Sequence, residues 1–165
     1  MYKREFLNLL SQKKLPDSLL LYGACDYQID HYSQMILNSW EATSDDMLTL
    51  YYDAYDFKLA KAHLSQSSLF GNQNILHVKI DKPLPKPEAQ TLLEITTKSA
   101  QSRFLISCYS DDSKLKTFAA IFSPKLSGQN VRFFKPNTSE AISYLVQAAK
   151  EKNLNIQPYA LSHLY

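Results

Sequence analysis

The sequence predicts an α/β domain built on a mostly parallel five-stranded sheet with helices on both faces. Three observations lead there. Short apolar runs alternate with helical periodicities five times between Ser18 and Phe134, the pattern of successive strand–helix units. Leu19-Leu20-Leu21 and Phe104-Leu105-Ile106 are continuous apolar runs, as expected of strands buried on both faces. Apolar residues make up 45% of the 165 residues and charged residues 21%, a balance that closes a core and excludes a disordered chain.

Each element follows from local pattern. Phe6, Leu7, Leu9 and Leu10 lie among polar residues in 1–14, which reads as a short helix stopped before Pro16. Residues 18–22 form the first strand, closed by Gly23. Asp26 is suited to cap the next helix, whose face repeats at Ile29, Tyr32 or Ser33, Ile36 and Trp40 and runs to about residue 39. Residues 47–52 are strand-like, with Leu48, Leu50 and Tyr52 on one face. Phe57, Ala60 and Leu64 have helical spacing and predict a helix over 56–66. Residues 74–80 alternate, with Leu76, Val78 and Ile80 on one side and His77 and Lys79 on the other.

Pro83, Pro85 and Pro87 each lack an N–H and cannot continue a ladder. They predict an extended connector over 81–87 and a helix over 88–100, with Pro87 near its first turn. Residues 103–109 give another buried strand. A helix over 113–122 carries Leu115, Phe118, Ala119 and Phe122 in one stripe. Gly128 turns the chain into a fifth strand over 131–134, and Pro136 marks a break in composition. Asn137 and Glu140 form a capping box for a helix that runs to about residue 152, faced by Ala141, Leu145, Ala148 and Ala149. A further apolar period begins in 157–165, the start of a second, helical domain that is cut off.

Several chemistries are excluded or left without support. The three glycines, Gly23, Gly71 and Gly128, lie far apart, so neither a dinucleotide fingerprint nor a glycine-rich phosphate loop can form. Cys25 and Cys108 have no zinc-ligand spacing and fit a reducing cytoplasm. No apolar run approaches the roughly 18 residues that span a bilayer, and the amino terminus has no secretory pattern. A net charge of +2 is too mild to argue for nucleic acid by itself. His31, His63, His77 and His163 fall in different elements. Asp111 and Asp112 follow a buried strand and read as a turn that caps the next helix. Asp81 ends a strand as a magnesium carboxylate would, but Lys82 follows it and no phosphate loop accompanies it. No catalytic residue, metal site or cofactor is expected.

The informative stretch is Gln66, Ser67, Ser68, Leu69 and Phe70. A helix ends, two large apolar side chains stand side by side, and Gly71 follows. Adjacent Leu and Phe cannot both point inward from one regular element. An exposed pair on a firm turn makes an anchor for a partner's pocket, with Gln66 at the rim. The alternative is a turn whose Leu69 and Phe70 plug the sheet edge. The five residues match Q-x-x-L-F, the motif by which many bacterial replication proteins bind the sliding clamp.

With this motif in place, the chain resembles the delta subunit of the bacterial DNA polymerase III clamp loader. The resemblance runs in order through LLLYG at 19–23, SSLFGNQNIL at 67–76, RFLIS at 103–107, SKLK at 113–116, VRFFKP at 131–136 and KNLNI at 152–156. It implies a RecA-like domain of the AAA+ type over 1–136, without a working phosphate loop, and the beginning of a helical lid over 137–165. It implies a cytoplasmic protein, away from membranes, that binds the sliding clamp (beta subunit) through Gln66, Ser67, Ser68, Leu69 and Phe70 and helps open the ring. The gamma/tau and delta-prime loader subunits would be its partners, and primed DNA would be reached through the loader. Catalysis would belong to the DNA polymerase III holoenzyme, a DNA-directed DNA polymerase and so a nucleotidyltransferase, not to this chain. Two rival readings stand beside it. One is a degenerate P-loop NTPase that still binds nucleotide at 23–29. The other is direct DNA binding by Lys58, Lys61, Lys79, Lys82, Lys86, Lys114 and Lys116, whose scatter suits a solvated surface better.

Overall fold

The computed structural model describes residues 1–67, 72–161 and 163. Its contacts divide the chain into two compact units, Met1–Phe133 and Phe134–Tyr165. The first unit runs α1 (Lys3–Ser11), β1 (Ser18–Gly23), α2 (Asp26–Ser39), β2 (Met47–Tyr51), α3 (Phe57–Leu64), β3 (Asn74–Ile80), α4 (Lys86–Lys98), β4 (Ser102–Cys108), α5 (Lys114–Ala119) and β5 (Gly128–Phe133). The five strands pair in the order β2-β3-β4-β1-β5, and every pairing is parallel.

Period-two alternation sends each strand's side chains to opposite faces, and both faces are covered. On one, Leu20, Leu76, Val78, Phe104 and Ile106 pack with Ala60 and Leu64 of α3, Leu92 of α4 and Leu115 of α5. On the other, Leu19, Leu21, Ile75, Leu105 and Val131 pack with Phe6 of α1 and Ile29 and Ile36 of α2. Phe6, Tyr32 and Phe133 form an aromatic cluster there, with Tyr32 stacked on Phe133 at 5.3 Å and Phe6 edge-on to Tyr32 at 5.6 Å.

The second unit holds α6 (Thr138–Glu151) and α7 (Pro158–Leu161). The capping box at its start is formed: Glu140 N–H donates to Asn137 Oδ1 at 2.9 Å, and Asn137 N–H to Glu140 Oε2 at 3.1 Å. Ala141 and Ala149 are buried.

Several boundaries depart from the sequence expectation, each for a physical reason. Cys25 occupies the cap position of α2, so Asp26 is its first helical residue and complements the helix dipole instead of capping. Tyr52 leaves the β2 strand with φ 40 and opens a tight turn over Tyr52–Ala54. Asp56 caps α3, accepting from Lys58 N–H at 2.8 Å and Leu59 N–H at 3.1 Å, and the helix stops at Leu64. The turn into β5 is made by Ser127, with φ 49, and Gly128 already lies in the strand.

His77 departs most. Alternation placed it on a polar side, yet it is only 2% exposed, because α2 covers that face. Ser33 Oγ donates to the Ile29 carbonyl at 2.7 Å. A hydroxyl has one proton, so Ser107 Oγ is the donor in its 2.7 Å contact with Ser33. Ser107 then has no proton left for His77, and the 2.9 Å contact between them is a His77 Nε2–H donating to Ser107 Oγ. Burial first, and the Lys79 charge second, push the His77 pKa down to about 4 against an opposing effect of Asp30. In the unfolded chain the same group titrates near 6.5. Between those values the unfolded state binds the extra proton, so stability rises with pH across the window and is lost as pH falls toward 4. Urea melts from pH 4 to 7 should show a contribution of roughly 3 kcal/mol at most from this group. His77→Gln, which keeps an N–H for Ser107, should flatten that part of the curve; an unchanged slope would remove His77 as its source.

Candidate functional site

In an all-parallel sheet, every helix-to-strand connection lies at the strands' amino edge and every strand-to-helix connection at their carboxyl edge. The stretch singled out by sequence joins α3 to β3, at the amino edge. Gln66 and Ser67 are exposed there. Ser68, Leu69 and Phe70, with Gly71, lie outside the described residues, so the structure does not place the anchor pair itself.

It does place both feet of the connection. On the helix side, Leu64 is 1% exposed and its carbonyl accepts from Ser102 Oγ at 2.8 Å. His63 Nε2–H donates to the Ile75 carbonyl at 3.0 Å. The Gln66 carbonyl accepts from Asn74 Nδ2, closing the span between them. On the strand side, Asn74 N–H donates to the Gln101 carbonyl at 2.9 Å. Gln73 Nε2 donates to the Trp40 carbonyl at 2.9 Å, and its Oε1 accepts from Arg103 Nε at 2.9 Å. Arg103 Nη1 pairs with Asp17 Oδ1 at 2.9 Å, and its guanidinium lies 5.5 Å from the Trp40 ring centre. The start of β1, the end of α2 and the start of β4 thus grip one connection. Sequence reasoning passed over Gln73, Asn74, Arg103, Trp40 and Asp17 in this role. The available signal was a polar or charged residue, Asn74 and Arg103, at the head of two apolar strands.

The carboxyl edge is built differently. Only Ala24 and Cys25 separate β1 from α2. Gly23 has φ +141, and a Cβ there would stand 1.9 Å from the Phe133 carbonyl oxygen. Gly23 N–H donates to the Ser110 carbonyl at 3.0 Å and Ala24 N–H to the Phe133 carbonyl at 2.9 Å. A phosphate cradle needs such N–H groups turned toward the anion; here both are bonded to protein. Asp26 adds a carboxylate at the first turn of α2, where it opposes a second anion. Close by, Asp30 accepts from Tyr109 Oη and from Lys79 Nζ at 3.1 Å. Burial first and the Asp30 hydrogen bond second push the Tyr109 hydroxyl far above its ordinary range.

Asp111 pairs with Arg132 at 2.7 Å, and that hydrogen bond holds its carboxyl below its usual range. Asp112 accepts from Lys114 N–H at 2.8 Å, the capping turn expected from sequence. Cys25 and Cys108 are free and buried. Burial, then the Asp81 charge, pushes the Cys108 thiol up to about 12. His31 stacks on Tyr27 and His163 packs edge-on to Tyr159. Among the described residues no group of His, Cys, Asp and Glu could hold a metal ion, and no helix is long and apolar enough to cross a membrane.

Comparison with solved structures defines the class: the five-stranded parallel sheet in this order is an AAA+-like α/β fold. The chain superposes on the DNA clamp loader delta protein (YqeN) of Bacillus subtilis with a TM-score of 0.63 and 15% identity, over 98% of this chain and 51% of that one. It superposes on the ORC2 protein of Aeropyrum pernix, solved as ADPNP–ADP complexes, with a TM-score of 0.50 and 12% identity, over 89% of this chain and 49% of that one. In sequence it is 29% identical over 181 aligned residues to a protein of Helicobacter pylori strain J99 and 30% identical to one of strain 26695. Both alignments cover all of this chain and 53% of the relative, so the chain spans about half the length of the curated relatives it matches. No protein-family model matches it.

The grip on the α3–β3 connection is testable without a partner. Asn74→Ala removes the bond to the Gln66 carbonyl and should cost about 1–2 kcal/mol. Hydrogen exchange should speed up at the amides from Gln66 to Asn74 while the β1 and β4 amides keep their protection. Uniform acceleration would mean that Asn74 holds the sheet and not the connection.

Proposed function

We propose that this chain is the clamp-contacting part of a DNA polymerase III clamp-loader delta subunit. In this reading, 1–136 is the AAA+-type domain without a working phosphate loop and 137–165 begins the helical lid. The observation that carries it is the α3–β3 connection. Its feet are gripped by Ser102, Asn74, Gln73 and Arg103, and between them it carries Gln66, Ser67, Ser68, Leu69 and Phe70 in clamp-motif order. The fold likeness to a clamp loader delta protein supports the same reading.

Leu69 and Phe70 insert into an apolar pocket of the sliding clamp. Burying two such side chains is worth roughly 3–6 kcal/mol, less the cost of ordering and association. Pinned feet reduce that cost, because the connection reaches the clamp with its ends already in place. The exposed side of α3 adds a second contact through Leu59, which is 48% exposed. Ring opening needs no chemistry from this chain: it need only bind the opened clamp more tightly than the closed one. Nucleotide turnover falls to the gamma/tau subunits of the loader, with delta-prime a further neighbour, and primed DNA is met through the assembled loader.

Titration calorimetry against the purified sliding clamp tests this directly. The Leu69→Ala, Phe70→Ala double variant should bind roughly 100-fold more weakly or not at all, with an unchanged melting temperature. Equal binding by the double variant would remove the anchor assignment. The rival nucleotide-binding reading has its own readout. A ligand of the native state raises the melting temperature, and with Gly23 and Ala24 N–H groups already bonded, ATP with magnesium should leave it unmoved. A rise that grows with ATP concentration would restore that rival.

A further inference from the structure

The two edges of the sheet are finished differently. At β5, the Met1 amino group donates to the Asn130 carbonyl at 2.9 Å. At β2 nothing comparable occurs among the described residues. The Ile75 N–H donates to the Asp46 carbonyl at 2.8 Å, and Met47 pairs with Ile75. In a parallel ladder this fixes the parity: Asp46, Leu48 and Leu50 bond inward to β3, and Met47, Thr49 and Tyr51 turn their N–H and C=O groups outward. Among the described residues no hydrogen bond reaches those outward groups. Native edge strands are ordinarily blunted by a charge, a proline or a bulge. The β2 strand, Met-Leu-Thr-Leu-Tyr, has no charge and no proline, and Tyr51 is 52% exposed.

We propose that the β2 edge pairs with the β2 edge of a second copy of this chain, antiparallel about a two-fold axis through Thr49. The sequence of the strand favours a second copy over a foreign strand, because it has the same character read in either direction. Centred on Thr49, Leu48 stands opposite Leu50 of the second copy on one face. Met47 stands opposite Tyr51, and Thr49 opposite Thr49, on the other face. The outward-bonding residues Met47, Thr49 and Tyr51 then meet outward-bonding residues only, each pair exchanging two hydrogen bonds. Neighbouring registers pair less of the strand. Centred on Leu48, Leu50 and Tyr51 fall against Asp46 and Asp45; centred on Leu50, Met47 and Leu48 fall against Asp53 and Tyr52. Centred on Thr49, all five strand residues pair with strand residues, and Asp45 meets Asp53 only beyond the strand ends. The interface is isologous and closes on itself, and it joins the two sheets into one. It is independent of the clamp reading, since it uses neither the α3–β3 connection nor any partner protein.

Sedimentation equilibrium of the 165-residue chain in high-salt buffer, where the flanking Asp45, Asp46 and Asp53 are screened, is the test. The expected result is a monomer that passes to a dimer as concentration rises. Thr49→Pro removes an N–H that points away from β3, so it spares the monomer's own ladder and should weaken the dimer at least about tenfold. Thr49→Lys places a charge opposite its own copy and should do the same, and it decides the matter if the proline variant does not fold. A Thr49→Cys variant should cross-link to itself under mild oxidation of the native protein, because directly opposed Cα atoms lie within disulfide reach. Tyr51→Cys should not, because it faces Met47; Cys25 and Cys108 are buried and give no background. A monomer at every concentration overturns the proposal, as does a dimer that Thr49→Pro and Thr49→Lys leave intact. A chain that binds extended peptides at this edge but stays monomeric alone also overturns it.

Discussion

The parallel direction of all five strands is the constraint on which the rest depends. It sends every helix back across a face of the sheet, so both faces are buried and the strands must be apolar on both sides. It also sorts the connections. Helix amino termini collect at one edge, helix carboxyl termini and strand starts at the other. Ligands of open α/β sheets usually lie at the carboxyl edge, in the crevice where strand order reverses. Beside β1, two backbone N–H groups of the β1–α2 turn are taken by the protein's own carbonyls. Gly23 approaches Phe133 so closely that no side chain fits between them, and the Ser110 and Phe133 carbonyls take the Gly23 and Ala24 N–H groups. The amino edge, usually the structural one, carries the gripped connection with the candidate anchor.

A fully covered sheet has a second consequence. Where a polar side chain is carried on a strand, it must find its partner inside. Ser107 on β4 meets Ser33 on α2 and His77 on β3, and Ser33 returns its proton to the α2 backbone. Each member has one acceptable role, so the chain of donors has one direction and sets one rotation of α2 over the sheet. Buried networks of this kind are costly when broken and specifying when complete. Burial also keeps the Cys108 thiol protonated, and Cys25 and Cys108 are both free and buried as small core side chains.

Local pattern made the sheet legible. Five strands and the helices between them were evident from apolar runs, from proline positions and from the Asn137–Glu140 box, because each of these signals lies within a few residues. What escaped was set by distant partners. His77 alternates like a surface residue, and only α2, some forty positions earlier in order, makes it a core residue. The feet of the α3–β3 connection depend on Arg103 reaching Asp17 and on Gln73 reaching Trp40, contacts that no window of sequence contains. Asp26 looked like a cap because the helix start was read from charge, whereas the extended backbone of Cys25 sets it. The anchor itself, Leu69 and Phe70, is legible only as a motif, and its resemblance to clamp binders gave it a meaning that spacing alone does not supply.

In the proposed clamp contact, the grip gives a physical reason why a short motif could suffice. Two apolar side chains offer a few kcal/mol of burial, and association with ordering consumes much of that. A loop with loose ends would spend the remainder on its own closure, a cost that grows with the number of residues free to move. Asn74 and Ser102 remove that freedom from the helix side, Gln73 and Arg103 from the strand side. None of the four is part of the motif. Their hydrogen bonds are made before any partner arrives, so the entropy of bringing the two feet together is lost in folding and not in binding. In the proposed contact, affinity would depend in part on these residues outside the motif, and the parallel sheet brings them to the same edge by placing the starts of β1, β3 and β4 side by side.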